Sequence, residues 1–307
     1  MPMATPTPDR PGPLNWALLT VLGIVWGSAF MSISIALEGF GPITVAALRT
    51  SIGAIALLAA GAALGQNPTA IPGRVGWVFA AAVGITSSAL PFLLLAWGLQ
   101  HIPSAFAGVA MGAVPLLLLP LAYVFSPEEG IGPRRVAGVA LGFVGLAVLI
   151  GPGAFAGGGD LTGFGRLACL GAAACYGVSS VLTRRAPPMP PISLAAASLL
   201  AGAVVLVPLA LALEGVPDAA PARATLALVY LGLLPTGIAA LLRVRVIRTA
   251  GSVFMSLVSY MVPVWAVIFG GVLLGEALPP QLLVALGLIL AGIGLSQWRS
   301  LSALWRG

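Results

Sequence analysis

Long apolar runs separated by short polar breaks fill almost the whole of this 307-residue chain. A helix needs about 20 apolar residues to cross the roughly 30 Å of hydrocarbon in a bilayer, and each run has about this length. A lipid-exposed backbone must satisfy its own hydrogen bonds, so each run is predicted to be helical. The pattern predicts ten transmembrane helices at about 14–36, 43–64, 75–98, 103–125, 134–150, 163–183, 192–213, 225–246, 250–274 and 279–298.

Glycine and proline mark most of the breaks, as they do in tight turns. In two apolar blocks, at 75–125 and 225–274, Pro103 and Gly251 are almost the only residues that indicate a break between helices. A bilayer is too thin for one helix of that length, so each block is predicted to be a helical hairpin. The fold class is therefore all-α and integral to the membrane.

The composition agrees with a protein that faces lipid. Hydrophobic residues make up 59% of the chain, charged residues only 7%, and the mean hydropathy is +1.09, whereas soluble domains carry about 25% charged residues. The net charge of +6 comes entirely from arginines that stand singly or in pairs between apolar runs. This distribution indicates membrane orientation rather than nucleic-acid binding.

The arginines are distributed unevenly when both termini are placed in the cytoplasm. Two of them, Arg166 and Arg223, then lie at outer ends and eleven at inner ends. An excess of arginine on the cytoplasmic side is the rule for membrane proteins, so a multi-pass protein of the bacterial inner membrane with cytoplasmic termini is predicted. The inner arginines are Arg10, Arg74, Arg134, Arg135, Arg184, Arg185, Arg243, Arg245, Arg248, Arg299 and Arg306.

The two halves of the chain resemble each other at a fixed offset of 148 residues. The match joins Ser104, Gly108, Met111, Pro115 and Glu128 to Ser252, Ser256, Ser259, Pro263 and Glu276. Five spans are an odd number, so the second copy must enter the membrane inverted, as in many secondary transporters. The predicted units are a disordered tail at 1–13, one five-helix repeat at 14–150, a second at 163–298 and a cytoplasmic tail at 299–307.

Several of these motifs resemble the EamA family of the drug/metabolite transporter superfamily, in particular its YddG-like amino-acid exporters. They are Trp26-Gly27, Leu48-Arg49, and a proline followed by a glutamate 13 residues later in both halves. The resemblance implies ten helices, cytoplasmic ends, a cavity lined by spans 1, 3, 4, 6, 8 and 9, and a small metabolite as substrate. Two departures are Ser126-Pro127-Glu128 before the fifth span and the arginines that end the eighth.

Two equivalent stripes of small residues are candidates for the substrate path. Ser252, Ser256, Ser259 and Pro263 fall on one face of a helix, and Ser104, Gly108, Met111 and Pro115 make the same stripe in the first half. These faces either line a cavity or pack helices closely, which small residues also allow. Pro115 and Pro263 are candidate hinges, whereas Val267 is predicted to face lipid.

Aromatic side chains at mid-depth are candidates for the cavity walls. Trp26 and Phe30 lie four residues apart, and Tyr176 and Ser180 are their approximate equivalents in the second half. Tyr260 lies about 10 residues into the ninth span, roughly 15 Å by helical rise. The alternative for such residues is the aromatic belt at the membrane interface, which fits Trp26 poorly because of its depth.

Arg49 is the one arginine that the sequence places within a span. A charge in the membrane is by default a candidate functional site, here a clamp for a substrate carboxylate. The alternatives are that its side chain snorkels outwards or pairs with Glu38. The eight acidic residues, in contrast, lie at span ends or in loops, so a carboxylate-based proton or drug antiporter is disfavoured and a uniporter or exchanger is predicted.

Enzyme chemistry, cofactors and metals have no sequence signature in this chain. It has one histidine, His101, and two cysteines, Cys169 and Cys175, whose spacing fits neither a zinc site nor a disulfide. The predicted function is therefore secondary transport of a small metabolite, with amino-acid export implied by the resemblance. A channel or facilitator for small neutral solutes is the alternative, followed by a polytopic membrane enzyme. The sequence does not define an oligomeric state.

Overall fold

The computed structural model describes residues 11–117, 132–151 and 161–298, and its regular elements in these ranges are all helical. The predicted tails at 1–13 and 299–307 lie almost wholly outside the described residues, as does Glu128. We number the main helices α1 (Pro13–Ala36), α2 (Pro42–Ala63), α3 (Gly73–Gly98), α4 (Ser104–Leu117), α5 (Pro133–Ile150), α6 (Leu161–Arg185), α7 (Pro191–Leu213), α8 (Ala222–Ser256), α9 (Val258–Leu273) and α10 (Pro280–Ser296).

Within the described ranges, seven of these helices are long and apolar enough to cross a membrane, and α4, α9 and α10 are shorter apolar helices. Five helices, α1, α2, α5, α7 and α10, begin with a proline in the first turn after a residue with extended backbone. Proline suits this position because the first amide groups of a helix have no intrahelical acceptor. The helix starts therefore follow directly from the sequence.

The structure has a break in the helix within the 225–274 block, at Gly251 as predicted. Helix α8 runs from Ala222 to Ser256, but Gly251 has φ +85° and ψ 163° and separates two helical pieces. Glycine adopts this conformation readily because it has no Cβ. The residues after Gly251 therefore leave the axis of α8 and lead into α9.

Two helices contain a widened, π-helical segment near mid-length: Ile85–Ala89 in α3 and Gly232–Ile238 in α8. Prolines lie beside or within these segments, at Pro91 and Pro235. Proline has no N–H and its ring crowds the preceding turn, so a regular hydrogen-bond ladder cannot pass through it. Such π-helical bulges occur frequently at functional sites.

Close helix crossings hold the bundle together. At the crossing of α5 and α10, a Cβ added to Gly138 or to Gly292 would lie 2.6 Å from the carbonyl oxygen of the other glycine. Only glycine lets the two backbones approach to this distance, and small residues are the usual means of packing helices in membranes.

Side chains from the second half cap helix starts in the first half. Glu214, which follows α7, accepts hydrogen bonds from the amides of Ile43 and Thr44 at 2.9 and 2.8 Å. Glu276, which follows α9, accepts from Ser104 and Ala105 at 2.7 and 2.9 Å. A carboxylate suits a helix start, where free N–H groups and the positive end of the helix dipole lie together.

Candidate functional site

The buried guanidinium of Arg49 forms the centre of the candidate site. Arg49 is 6% exposed, and its Nε donates a hydrogen bond to Thr236 Oγ1 of α8 at 2.9 Å. Its guanidinium carbon lies 3.7 Å from the centre of the Phe92 ring of α3. The charge is thus held at one edge by a hydroxyl and on one face by an aromatic ring, both favourable for a desolvated guanidinium.

The π-helical segment of α8 explains why Thr236 can accept this bond. Pro235 has no N–H to give to the carbonyl of Leu231 four residues earlier, so that oxygen can accept from Thr236, five residues on. The Thr236 hydroxyl donates to it, with an Oγ1 to oxygen distance of 2.8 Å. Because the hydroxyl hydrogen is used in this way, the lone pairs of Oγ1 remain available to Arg49.

The same segment also binds α1. Trp26 Nε1 donates to the carbonyl oxygen of Pro235 at 3.0 Å, and the hydroxyls of Ser28 and Tyr230 lie 2.5 Å apart. These bonds place Trp26 at the junction of α1 and α8. Helices α1 and α2 therefore meet α8 around one short stretch of irregular helix, and α3 reaches this place through the contact of Phe92 with Arg49.

The two terminal nitrogens of Arg49 have no hydrogen-bond acceptor among the described residues, where the bond to Thr236 is the one that its side chain makes. Neither nitrogen is among the fully enclosed, unpaired atoms of the described residues, so each keeps a small accessible surface. The side chain does not snorkel outwards, and Glu38 lies instead 3.5 Å from Arg223. Arg49 thus presents two free donors to a polar partner.

The corresponding region of α3 has the same construction without the charge. Ser88 in its π-helical segment donates to the carbonyl of Gly84 at 2.7 Å. A Cβ on Gly202 of α7 would lie 2.7 Å from Ser88 Oγ, just as a Cβ on Gly53 of α2 would lie 2.5 Å from the Thr236 methyl. The pairs Gly53/Thr236 and Gly202/Ser88 are therefore equivalent contacts.

A second pair of contacts identifies the equivalent of Arg49. A Cβ on Gly232, at the start of the α8 segment, would lie 3.2 Å from the Arg49 carbonyl oxygen, and a Cβ on Gly84 would overlap the Ser198 carbonyl oxygen. Arg49 in α2 thus corresponds to Ser198 in α7. The Ser198 hydroxyl is buried and has no hydrogen-bond partner in the described part of the chain.

The predicted stripe on α4 lies against other helices. Ser104 is fully buried, its hydroxyl has no described partner, and its amide donates to Glu276. A Cβ on Gly108 would overlap Cβ of Ala266 on α9 and lie 3.4 Å from the Phe30 ring. Met111 is half-buried against the same core cluster, which also contains Phe30. The structure therefore brings Gly108 and Phe30 together where α4 crosses α9.

The equivalent stripe on the second half is more open. Ser252 is exposed, and Ser259 is half-buried. Ser256 Oγ bonds to the Val253 carbonyl at 2.7 Å and to Gln297 Oε1 at 3.2 Å. The hinge candidates differ as well, since Pro115 is partly exposed and Pro263 is buried.

The other predicted aromatic residues lie at two separate places. Tyr176 packs on the cluster that contains Phe92, the residue whose ring lies against Arg49, while the Ser180 hydroxyl donates to the Tyr176 carbonyl at 2.9 Å. Tyr260 packs on the core cluster around α4, with its hydroxyl buried and unpaired among the described residues. Tyr176 thus belongs to the Arg49 region and Tyr260 to the α4 and α9 region.

One prediction about α9 is wrong. Val267, expected to face lipid, is 7% exposed, whereas Val264, Ile268 and Val272 are 37%, 40% and 75% exposed. These three residues repeat every four positions and form the outer face of the helix. Val267 lies on the opposite side, which packs on the core cluster.

Metal-binding clusters are absent from the part of the chain that the structure describes, where no three His, Cys, Asp or Glu side chains come together. Cys169 is buried, Cys175 is partly buried, and both are free thiols.

Apolar helices that are interrupted around a buried charge are typical of integral membrane transporters. Sequence comparison agrees with this class. The chain belongs to the EamA-like transporter family, whose sequence pattern matches residues 14–151 and again residues 163–297.

Similar proteins cover almost the whole chain. A protein of Streptantibioticus cattleyicolor named "probable terminal-alkyne amino-acid exporter" is 32% identical over 93% of this chain and 94% of its own length. The "uncharacterized inner membrane transporter YedA" of Escherichia coli K12 is 30% identical over 92% of this chain and 89% of its own. A protein of known crystal structure is 26% identical, covers 94% of this chain and 98% of its own, and superposes with a TM-score of 0.67.

Proposed function

We propose that this protein is a secondary transporter that exports amino acids or similar small metabolites across a bacterial inner membrane by alternating access. One observation carries the proposal: Arg49 is buried, yet its two terminal nitrogens each keep a small accessible surface and have no described partner. A guanidinium with two parallel free donors matches the two oxygens of a carboxylate. Arg49 would thus clamp the carboxylate of the substrate.

The relatives support the kind of cargo and the membrane. One relative is named as a probable amino-acid exporter and another as an inner membrane transporter. An amino acid carries a carboxylate for Arg49. The aromatic rings near Arg49 suit its ammonium group, because the face of an aromatic ring attracts cations.

The chain would cross the membrane ten times as two inverted five-helix halves, 14–150 and 163–298. The family pattern matches the chain twice, at nearly these limits. The contacts between α2 and α7 are also reciprocal. Glu214 after α7 accepts from the start of α2, and Gln66 after α2 accepts from Ile192 at the start of α7 at 3.4 Å.

The substrate cavity would lie where the two halves meet, as in other transporters with inverted repeats. Arg49 and Trp26 would hold the substrate, while the stripes of α4 and α9 would move as the halves rock about Pro115 and Pro263. The full proposed set is Trp26, Phe30, Arg49, Ser104, Gly108, Met111, Tyr176, Ser180, Ser252, Ser256, Ser259 and Tyr260.

Transport would proceed as uniport or exchange, driven by the substrate's own gradient. The acidic residues of the sequence lie at span ends or in loops. Coupling to protons needs a group whose proton affinity differs between the two access states. A pH gradient without a substrate gradient is therefore expected to cause no accumulation of a neutral amino acid in liposomes.

The orientation of the chain can be tested with single cysteines. Asp218→Cys, between α7 and α8, is expected to react in whole cells with an impermeant thiol reagent, because the arginine distribution places this loop outside. Thr69→Cys, between α2 and α3, is expected to react only in inverted vesicles. The parent protein, with its own Cys169 and Cys175, provides the background. The reverse labelling pattern would disprove the proposed topology.

The function itself can be tested with purified protein in liposomes. The vesicles are loaded with one unlabelled L-amino acid at a time, and uptake of the same labelled amino acid is followed against protein-free vesicles. A carrier is expected to show saturable uptake that the internal amino acid accelerates. Uptake that does not saturate and shows no counterflow would instead favour a channel, and no uptake of any amino acid would reject the proposed cargo.

A further inference from the structure

We infer that Thr236 is the positioning residue of the Arg49 site: its hydroxyl holds Nε so that the two terminal nitrogens are presented to the substrate carboxylate. The inference rests on the proposed function, in which Arg49 meets the substrate. It concerns a residue on another helix, 187 positions away in the chain.

The hydrogen bonds run in one direction. Arg49 Nε donates to Thr236 Oγ1 at 2.9 Å, and Thr236 Oγ1 donates to the Leu231 carbonyl at 2.8 Å. Since a hydroxyl has one hydrogen, each bond fixes the role of Oγ1 in the other. The Leu231 carbonyl is available because Pro235 cannot bond it.

Two contacts then orient the guanidinium group of Arg49. Thr236 holds Nε, and the Phe92 ring lies against the guanidinium group at 3.7 Å. A planar group held by two such contacts has less freedom to rotate, which favours one direction for its two terminal nitrogens. A guanidinium group that is already held in one orientation loses less entropy when it binds a carboxylate, and this increases affinity.

Close packing of α2 on α8 sets the length of the hydrogen bond between Arg49 Nε and Thr236 Oγ1. A Cβ on Gly53, one turn beyond Arg49, would lie 2.5 Å from the Thr236 methyl carbon. Any larger residue would therefore push Thr236 away from Nε. Gly53 thus serves the same positioning role through the backbone.

The equivalent region of α3 provides matched controls. Ser88 donates to the carbonyl of Gly84, four residues earlier, where Thr236 donates to that of Leu231, five residues earlier, and Gly202 packs on Ser88 as Gly53 packs on Thr236. Its equivalent of Arg49 is Ser198, which has no charge to position. Loss of the Ser88 hydroxyl therefore reproduces the structural cost of losing the Thr236 hydroxyl without the proposed effect on Arg49.

The first experiment observes Arg49 directly and needs no substrate. Full-length protein in detergent is labelled with ¹⁵N-arginine, and the Nε–H signal of Arg49 is assigned by its loss in Arg49→Lys. This proton is expected to exchange slowly with water in the wild type, in Thr236→Ser and in Ser88→Ala. In Thr236→Val and in Gly53→Ala, but not in Gly202→Ala, exchange is expected to be at least about tenfold faster because the acceptor is lost or displaced.

The second experiment measures recognition of the carboxylate. Each variant in liposomes is tested with the amino acid that the wild type transports fastest and with its carboxamide as competitor. The preference for the acid over the amide is expected to fall about tenfold in Thr236→Val and to survive in Thr236→Ser and Ser88→Ala. A general folding defect would lower flux in Ser88→Ala as well and would leave the preference unchanged.

The outcomes separate the two proposals. Unchanged Nε–H exchange in both Thr236→Val and Gly53→Ala would overturn the positioning role, whatever is transported. Fast exchange in these variants with no amino-acid uptake by the wild type would uphold the positioning of Arg49 and reject the proposed function. Should Thr236→Val fail to fold, Gly53→Ala retains both side chains and decides the question.

Discussion

Replacement of Arg49 by glutamine is expected to raise the substrate concentration needed for half-maximal transport by roughly ten- to one-hundredfold. Hydrogen bonds to charged groups contribute about 1.5–3 kcal/mol each, and glutamine keeps at most one neutral donor in place of the fork. Folding should not suffer, because the substitution removes a buried charge whose desolvation is costly. Concentration-dependent flux in liposomes, at matched protein content, measures the effect.

Arg223 provides the control for the Arg49→Gln experiment. Its side chain is 61% exposed and lies near Glu38 at the surface, where an ion pair contributes at most about 1 kcal/mol. Arg223→Gln should therefore transport like the wild type. Wild-type kinetics in Arg49→Gln would show that the buried charge is structural and would remove the carboxylate clamp from the proposed site.

Substitution of Gly108 by alanine is expected to abolish most transport and to lower the free energy of unfolding by about 1–3 kcal/mol, the usual cost of overpacking a helix contact. The added Cβ would overlap that of Ala266 where α4 crosses α9. The two helices would have to separate along the seam proposed to move during transport. Flux in liposomes and thermal unfolding in detergent measure the two effects.

The double variant Gly108→Ala with Ala266→Gly is expected to recover most of the flux and stability, because it exchanges the two residues across the crossing. Gly287→Ala on α10, where an added Cβ meets nothing within 4 Å, serves as the silent control. Failure of Ala266→Gly to rescue would mean that Gly108 acts by some means other than this contact.

Hydrophobic pattern and turn residues were sufficient to predict that the chain is built of apolar helices, and they placed many of the helix ends within a few residues, although the eighth helix runs to Ser256 and not to 246. A proline marks the start of five of them, and the break at Gly251 falls where an apolar block exceeded one bilayer thickness. These features are local, since each depends on a few neighbouring residues. Arg49 could also be singled out as a candidate, because a lone charge in an apolar run needs a special environment.

Partners across the bundle could not be predicted in the same way. Thr236 and Phe92 are ordinary members of apolar runs, and only the fold brings them to Arg49. The face of α9 was misjudged for a similar reason. An almost wholly apolar helix has little amphipathic contrast, so the sequence gives no sign that Val267 turns inwards and Val264 outwards. The local feature of the sequence that marks the site is the Pro235-Thr236 pair, which lies in the irregular segment of α8.

A buried charge at one of two equivalent positions has a consequence for how such a chain can evolve. Arg49 occupies one half, and its equivalent, Ser198, is uncharged. A chain made of two copies of the first half would bury two guanidinium groups at equivalent places, where like charges repel strongly in a low dielectric. Two copies of the second half would bury none. A chain built from two copies of either half would therefore not contain the single buried arginine at these equivalent positions.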